Sequence, residues 1–205
     1  GWSVWWDHNS DVVSQFEGLE RRTGKEILLY AKGSSTRGDD RSGFDEAVNT
    51  AKEADLIILT IGEDRDMSGE AQSRSDIGIP GVQEELAEKI FALGKPVVVL
   101  LNAGRPLVFN RIAEKADAVL LTWFPGSEAG NAIADVVFGD YNPSAKLTTT
   151  FPRTVGQVPI YYNHFNTGRP SPDDGPSRNF RTGYTDLEQT PAYPFGYGLS
   201  YTKFD

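Results

Sequence analysis

Cysteine is absent from the 205 residues, which excludes disulfides, thiolate metal sites and cysteine nucleophiles. Histidine occurs only at His8 and His164, too few for a histidine-based metal site or triad. Positive charge is scarce: 20 Lys and Arg against 29 Asp and Glu leave a net charge of −9. That balance argues against general binding to nucleic acid or anionic membranes, both of which need a basic footprint. No apolar run approaches the roughly 18 residues of a membrane-spanning helix. Walker-type phosphate loops, Gly-x-Gly-x-x-Gly turns and Gly-x-Ser-x-Gly elbows are also missing. The start, GWSVWWDHNS, has neither an initiator Met nor the basic segment of a signal peptide, so the chain reads as a piece of something longer. What is present suits a folded domain: 39% hydrophobic residues are enough for one sizeable core, and 24% charged residues are ordinary for a soluble one.

The middle of the chain alternates between two patterns. Ile27–Ala31, Asp55–Gly62, Lys95–Leu101 and Asp117–Thr122 are short apolar runs, read as strands, the second of them buried on both faces and the third also buried. Between and after them lie helical patterns. Ser42 with Asp45 predicts a capped helix whose stripe is Phe44, Ala47, Val48 and Ala51. Pro80 predicts the start of a second helix, with Val82, Leu86, Ile90 and Leu93 inward and Gly94 as its stop. Leu107–Ala113 is a weaker candidate. Ser127 predicts the cap of a helix with Ala129, Ile133, Val136 and Val137 on its face, stopped by Gly139. Strand–helix alternation at this spacing predicts an α/β fold, a mostly parallel sheet flanked by helices. From about residue 140 the chain becomes an irregular Pro-, Gly- and Tyr-rich tail, with short strand candidates at Leu147–Phe151 and Val158–Tyr162. The tail is apolar enough to pack back on a folded unit. The expectation is one α/β sandwich domain over residues 1–205.

Ligands of open parallel sheets bind at the carboxyl ends of the strands. Three loops leave those ends: Glu63–Ile79 (EDRDMSGEAQSRSDIGI), Asn102–Pro106 (NAGRP) and Trp123–Glu128 (WFPGSE). They supply carboxylates, Arg65, Arg74, Arg105 and aromatic surface, a set suited to a hydroxyl-rich ligand. Asp64, Asp66, Ser68 and Gly69 imitate the start of a calcium loop, but Ser75 stands where the bidentate Glu belongs. Ser200–Lys203 fits a Ser-x-x-Lys pattern with no helix to carry it. Glu128 complements a helix dipole. Trp123 reads equally as a core plug or a ligand wall, and Arg74 as a simple ion-pair partner of Asp66 or Asp76. Trp2, Trp5 and Trp6 suit either sugar stacking or packing against another element.

The run ADLIILTIGEDRDMSGEAQSRSDIGIPGVQEELAEKI (Ala54–Ile90) resembles part of the second domain of family 3 glycoside hydrolases. GKPVVVLLNAGRP (Gly94–Pro106), WFPGSEAGNAIADVVFGDYNPSAKLTTTFPRTVGQVPIYYNHFNTGRP (Trp123–Pro170) and YPFGYGLSYTKF (Tyr193–Phe204) resemble the same domain in the same order, nearest to bacterial periplasmic β-glucosidases. The resemblance implies a retaining β-glucosidase acting on non-reducing ends, without cofactor or metal. An Asp nucleophile on an N-terminal barrel domain forms the glycosyl-enzyme, and a Glu of the second domain protonates the leaving oxygen and then activates water. The matching position is Glu70 in MSGEAQSR. A general acid must hold its proton near neutral pH, and a long loop folded against another domain can bury a carboxyl group and favour that form. Asp66, Met67 and Arg74 would shape the wall around the aglycone. The implied partners are a β-glucoside or oligosaccharide and the barrel domain, with no nucleic acid or membrane; the implied location is periplasmic or secreted.

The chain departs from that family in four places. It contains no counterpart of the barrel, the fibronectin-like domain or the family's first strand, so the isolated chain is expected to be inactive, and either another chain supplies that strand or the sheet edge is unprotected. Ala145 stands where the family usually has Gly. A non-catalytic carbohydrate-binding or scaffolding module of the same fold is the alternative; a nucleotide-binding domain is disfavoured by the missing Gly-rich loop.

Overall fold

A computed structural model describes residues 11–172 and 175–202 of the protein. The three N-terminal tryptophans and Lys203 lie outside the described residues. Two compact units are present, one over 11–105 and 109–142, the other over 106–108 and the described residues from 143 onward.

The first unit holds a three-stranded parallel sheet in the order β1 (Ile57–Gly62), β2 (Val97–Asn102), β3 (Ala118–Leu121). Gly62 stands opposite Asn102, and Leu101 opposite Leu121, so all three strands end at one edge. The central strand is the most apolar run of the chain, and Val99, Leu100 and Leu101 are completely buried (0% exposed). The fold is the parallel α/β arrangement the alternation predicts. One strand is not there: residues 28–33 form no regular structure, and Ile27, Leu29 and Tyr30 are exposed. The run is apolar, but no described strand pairs with it.

The helices are α1 (Gln15–Thr23), α2 (Phe44–Glu53), α3 (Gln83–Phe91), α4 (Asn110–Lys115) and α5 (Ala129–Val137). Phe44, Ala47 and Ala51 of α2, and Leu86 and Ile90 of α3, face the core as their spacing requires. Their caps differ from the sequence expectation. Gly43, not Ser42, is the N-cap of α2, and a Cβ there would lie 2.3 Å from the Gly33 carbonyl oxygen; the Ser42 N–H donates to Asp40 Oδ1 at 2.9 Å. Ser127 does not cap α5; its carbonyl accepts the Val13 N–H at 2.8 Å. Pro80 precedes α3 rather than opening it. Pro80–Val82 make a turn whose carbonyl at Pro80 accepts Gln83 Nε2 at 2.8 Å.

In the second unit the tail closes antiparallel on the segment after residue 146. The Leu147 N–H donates to the Tyr197 carbonyl, and the Phe151 N–H to the Tyr193 carbonyl, each at 2.8 Å. These contacts organise Leu147–Phe151 without a continuous ladder; Val158–Tyr162 is not a strand, and Val158, Tyr161 and Tyr162 are exposed. The buried Gln157 side chain accepts the Arg153 N–H at 2.6 Å and donates to the Thr190 carbonyl at 3.2 Å. Ala145 is not among the residues with positive φ, so it carries no left-handed strain.

Helix α1 was not anticipated, although its signal is in the sequence. Ser14 and Glu17 form a capping box, with Ser14 Oγ accepting the Glu17 N–H and Glu17 Oε2 accepting the Ser14 N–H at 2.8 Å. The helix packs on α5 through two glycines. A Cβ on Gly18 would lie 2.1 Å from the Gly130 carbonyl oxygen, and one on Gly130 would lie 2.0 Å from the Ser14 carbonyl oxygen. Alanine favours an open helix over glycine by about 1 kcal/mol. Gly18→Ala is nevertheless expected to destabilise this protein by about 1–3 kcal/mol, because the methyl group forces α1 away from α5. Urea denaturation measures it, and a midpoint unchanged or raised would disprove the close contact.

Candidate functional site

Because the strands are parallel and in register, the loops after β1, β2 and β3 leave from the same edge. Close backbone approach brings them together. Gly62 has φ +127°, and a Cβ there would lie 1.9 Å from the Asn102 carbonyl oxygen. At Gly104 a Cβ would meet Ser68 Oγ at 1.9 Å and the Phe124 ring at 2.9 Å. Gly104 is therefore where a residue of each loop converges, and only glycine leaves the room.

Three sets of side chains anchor the long loop. At its start, Asp64 accepts hydrogen bonds from Arg37 Nε at 2.8 Å, Arg37 Nη2 at 2.6 Å, Thr36 Oγ1 at 2.8 Å and the Asp66 N–H at 3.0 Å. Asp64 is thus engaged by the Arg37 guanidinium, whereas the first residue of a calcium loop gives its oxygens to the metal ion. Next to it, the Glu63 side chain is fully buried between Arg74 and Arg105. On the other side of β1, Gln83 spans the strand end: its Oε1 accepts the Gly62 N–H and its Nε2 donates to the Gly62 carbonyl, both at 2.9 Å.

Glu70 lies at the tip of this loop. The Gln72 N–H donates to the Gly69 carbonyl at 3.2 Å, so Glu70 and Ala71 are the two central residues of a tight turn. Ala71 has φ +60°, the left-handed value that the third position of a type II turn demands. Glu70 is exposed, as is Asp66, whose Oδ1 is 3.5 Å from Arg65 Nε. Met67 is half-buried at the end of a 3₁₀ turn over Arg65–Met67. Arg74 pairs with Glu63 rather than Asp66 or Asp76, and its Nη2 also donates to the Gly78 carbonyl at 3.0 Å. Trp123, half-buried, has φ +54°, a strained conformation for a bulky residue, in the loop after β3. Trp123 and Ala71 place two left-handed residues at the same sheet edge. Glu63, Gln83 and Gly104 were not singled out from sequence. The signal for Glu63 was a carboxylate placed directly after a buried strand, in a segment with arginines on two loops.

A parallel α/β domain with anchored loops and an exposed carboxylate at its carboxyl edge is the class defined by this geometry. The chain belongs to the glycosyl hydrolase family 3 C-terminal domain family, whose profile matches residues 1–201 and so runs through both compact units. A periplasmic β-glucosidase of Salmonella typhimurium is 44% identical over 94% of this chain. A β-xylosidase of Formosa agariphila is likewise 44% identical over 94%. The crystal structure of a β-glucosidase from Listeria innocua in complex with isofagomine superposes with a TM-score of 0.88 at 38% identity over 97% of this chain. The chain spans 28%, 26% and 27% of the lengths of these three proteins. No helix among the described residues is long and apolar enough to cross a membrane.

The hydrogen bonds from Arg37 lower the Asp64 carboxyl from its ordinary 3.8 to about 2. The folded state thus favours the carboxylate, and this contribution is complete above about pH 4 and lost as pH falls through about 2. With the Asp64 side chain 27% exposed, its size is about 1–2 kcal/mol. Asp64→Asn is expected to flatten the loss of unfolding free energy between pH 4 and pH 2 by that amount. Denaturation at a series of pH values checks it, and parallel curves for the two proteins would contradict it.

Proposed function

We propose that the chain is the acid/base-bearing domain of a retaining, exo-acting β-glucosidase that removes terminal β-D-glucosyl residues. The observation that carries this is the position of Glu70, an exposed carboxyl group at the tip of a two-residue turn on a loop anchored at its base. A group placed so is ready to enter a pocket provided by a second domain. Membership of the family, and relatives named as β-glucosidases, support the substrate class.

In the first half-reaction an Asp of an N-terminal barrel domain attacks the anomeric carbon. The bond to the leaving oxygen breaks, and the Glu70 proton passes to that oxygen. In the second, the Glu70 carboxylate takes a proton from water as the water oxygen attacks the anomeric carbon and releases the Asp. Asp66 and Met67 on one limb of the loop and Arg74 on the other shape the aglycone side. One carboxylate of the pair cannot complete this cycle, so the chain alone is inactive. Both compact units belong to one α/β sandwich domain, and the enzyme works in the periplasm or outside the cell.

The test is hydrolysis of p-nitrophenyl β-glucoside by the chain alone, by the chain mixed with its barrel domain, and by the full-length enzyme. Activity is expected only where the barrel is present. In the full-length enzyme, Glu70→Gln is expected to lower kcat/KM for phenyl β-glucoside by about 10²–10⁴-fold, the usual contribution of a general acid. Unchanged activity would remove Glu70 from the mechanism. Activity of the chain alone would place a second catalytic carboxylate within these residues. Because a β-xylosidase is as similar as a β-glucosidase, p-nitrophenyl β-xyloside is run in parallel; a faster rate on it would reassign the sugar.

A further inference from the structure

Glu63 takes no part in the chemistry proposed above, yet among the described residues it is the buried acidic side chain. It follows β1 directly, and its side chain has 0% exposure. Oε1 accepts from Arg74 Nη1 at 2.9 Å and lies 2.8 Å from Arg105 Nε, an ionic contact without hydrogen-bond alignment. Oε2 accepts the Gly104 N–H at 3.1 Å. With no exposed surface, the side chain does not meet a substrate from solvent.

The two arginines grip opposite limbs of the loop. Arg105, from the loop after β2, donates through Nη2 to the Met67 carbonyl, three residues before Glu70. Arg74, four residues after Glu70, donates through Nη2 to the Gly78 carbonyl. Ser68 is seated over Gly104, whose N–H is held by the same carboxylate. One buried charge thus fixes both limbs on either side of the Gly69–Gln72 turn.

Resting on Glu70 as the general acid, we infer that Glu63 is a positioning residue that sets where the turn presents the Glu70 carboxyl group. Proton transfer needs a donor–acceptor separation of about 2.6–3.2 Å, and a displacement of about 1 Å costs roughly 10²-fold. The role needs a carboxylate. Glutamine has the same shape but brings no charge to two guanidiniums, and it turns an N–H₂ toward donors where an oxygen accepted.

The test uses full-length enzyme, wild type and E63Q, R105Q and E70Q, with aryl β-glucosides from phenyl to 2,4-dinitrophenyl. Poor leaving groups need the proton; activated ones leave without it. For E63Q, kcat/KM on phenyl β-glucoside is expected to fall by about 10–100-fold, with the 2,4-dinitrophenyl glucoside changed by no more than about threefold. R105Q is expected to shift the series in the same direction. Hydrogen exchange of amides 64–78 should accelerate in both variants while β2 stays protected. A merely structural role would lower every substrate alike, and equal losses, or none, would overturn the inference. If E63Q is not recovered folded, the R105Q series decides by the same criterion. A steep series in E70Q with a flat one in E63Q would sink the positioning role alone. A flat series in E70Q with a steep one in E63Q would place the acid elsewhere and overturn the reading of Glu70 on which the inference rests.

Discussion

A carboxylate removed from water is costly unless cations and hydrogen-bond donors replace its hydration shell. Glu63 is fully buried, and two guanidiniums and a backbone N–H replace that shell. The donors come from two loops that follow different strands, so the pairing exists only when β1 and β2 lie side by side in register. Removing one partner from such a cluster typically costs about 3–5 kcal/mol, because the others are left uncompensated. The loop carrying Glu70 is therefore organised by the same sheet edge from which it departs.

That edge concentrates other departures from regular structure. Gly62 and Gly104 are positions where backbone or side chains approach too closely for a Cβ. Ala71 and Trp123 hold left-handed conformations that cost on the order of 1–2 kcal/mol each. Strain of this kind persists when surrounding contacts over-determine the backbone, and it gathers where a chain must present a group in one orientation. Here the group presented is Glu70, exposed at its turn while the limbs beneath it are anchored.

Much of the fold was legible because it rests on composition over several residues. KPVVVLL is a continuous apolar run covered on both faces as expected; DLIILTIG is a strand as expected, but Leu56 and Thr60 are exposed because β1 lies at the edge of the described sheet. The stripes of α2 and α3 were equally plain. ILLYA was misread because apolarity alone does not make a strand; a strand also needs a hydrogen-bonding neighbour, and the described residues provide none. The helix starts fall one residue later than Ser42 and Ser127 suggest, at Gly43 and Glu128, and neither serine side chain caps its helix. The α1 capping box, Ser14 with Glu17, is a local pattern and so is legible in the sequence alone.

By itself the sequence determined the parallel α/β class, the three loops at one sheet edge and the long family match that includes Glu70. These depend on local patterns and on residue order. The tertiary structure alone decided that Glu63 is a buried hub, that Arg74 turns to it rather than to Asp66 or Asp76, that Gln83 bridges the end of β1, and that Gly18 and Gly130 touch. Each of these is set by which distant segments are brought within a few ångströms, and a hydrogen bond or a missing Cβ has no meaning until that distance is known.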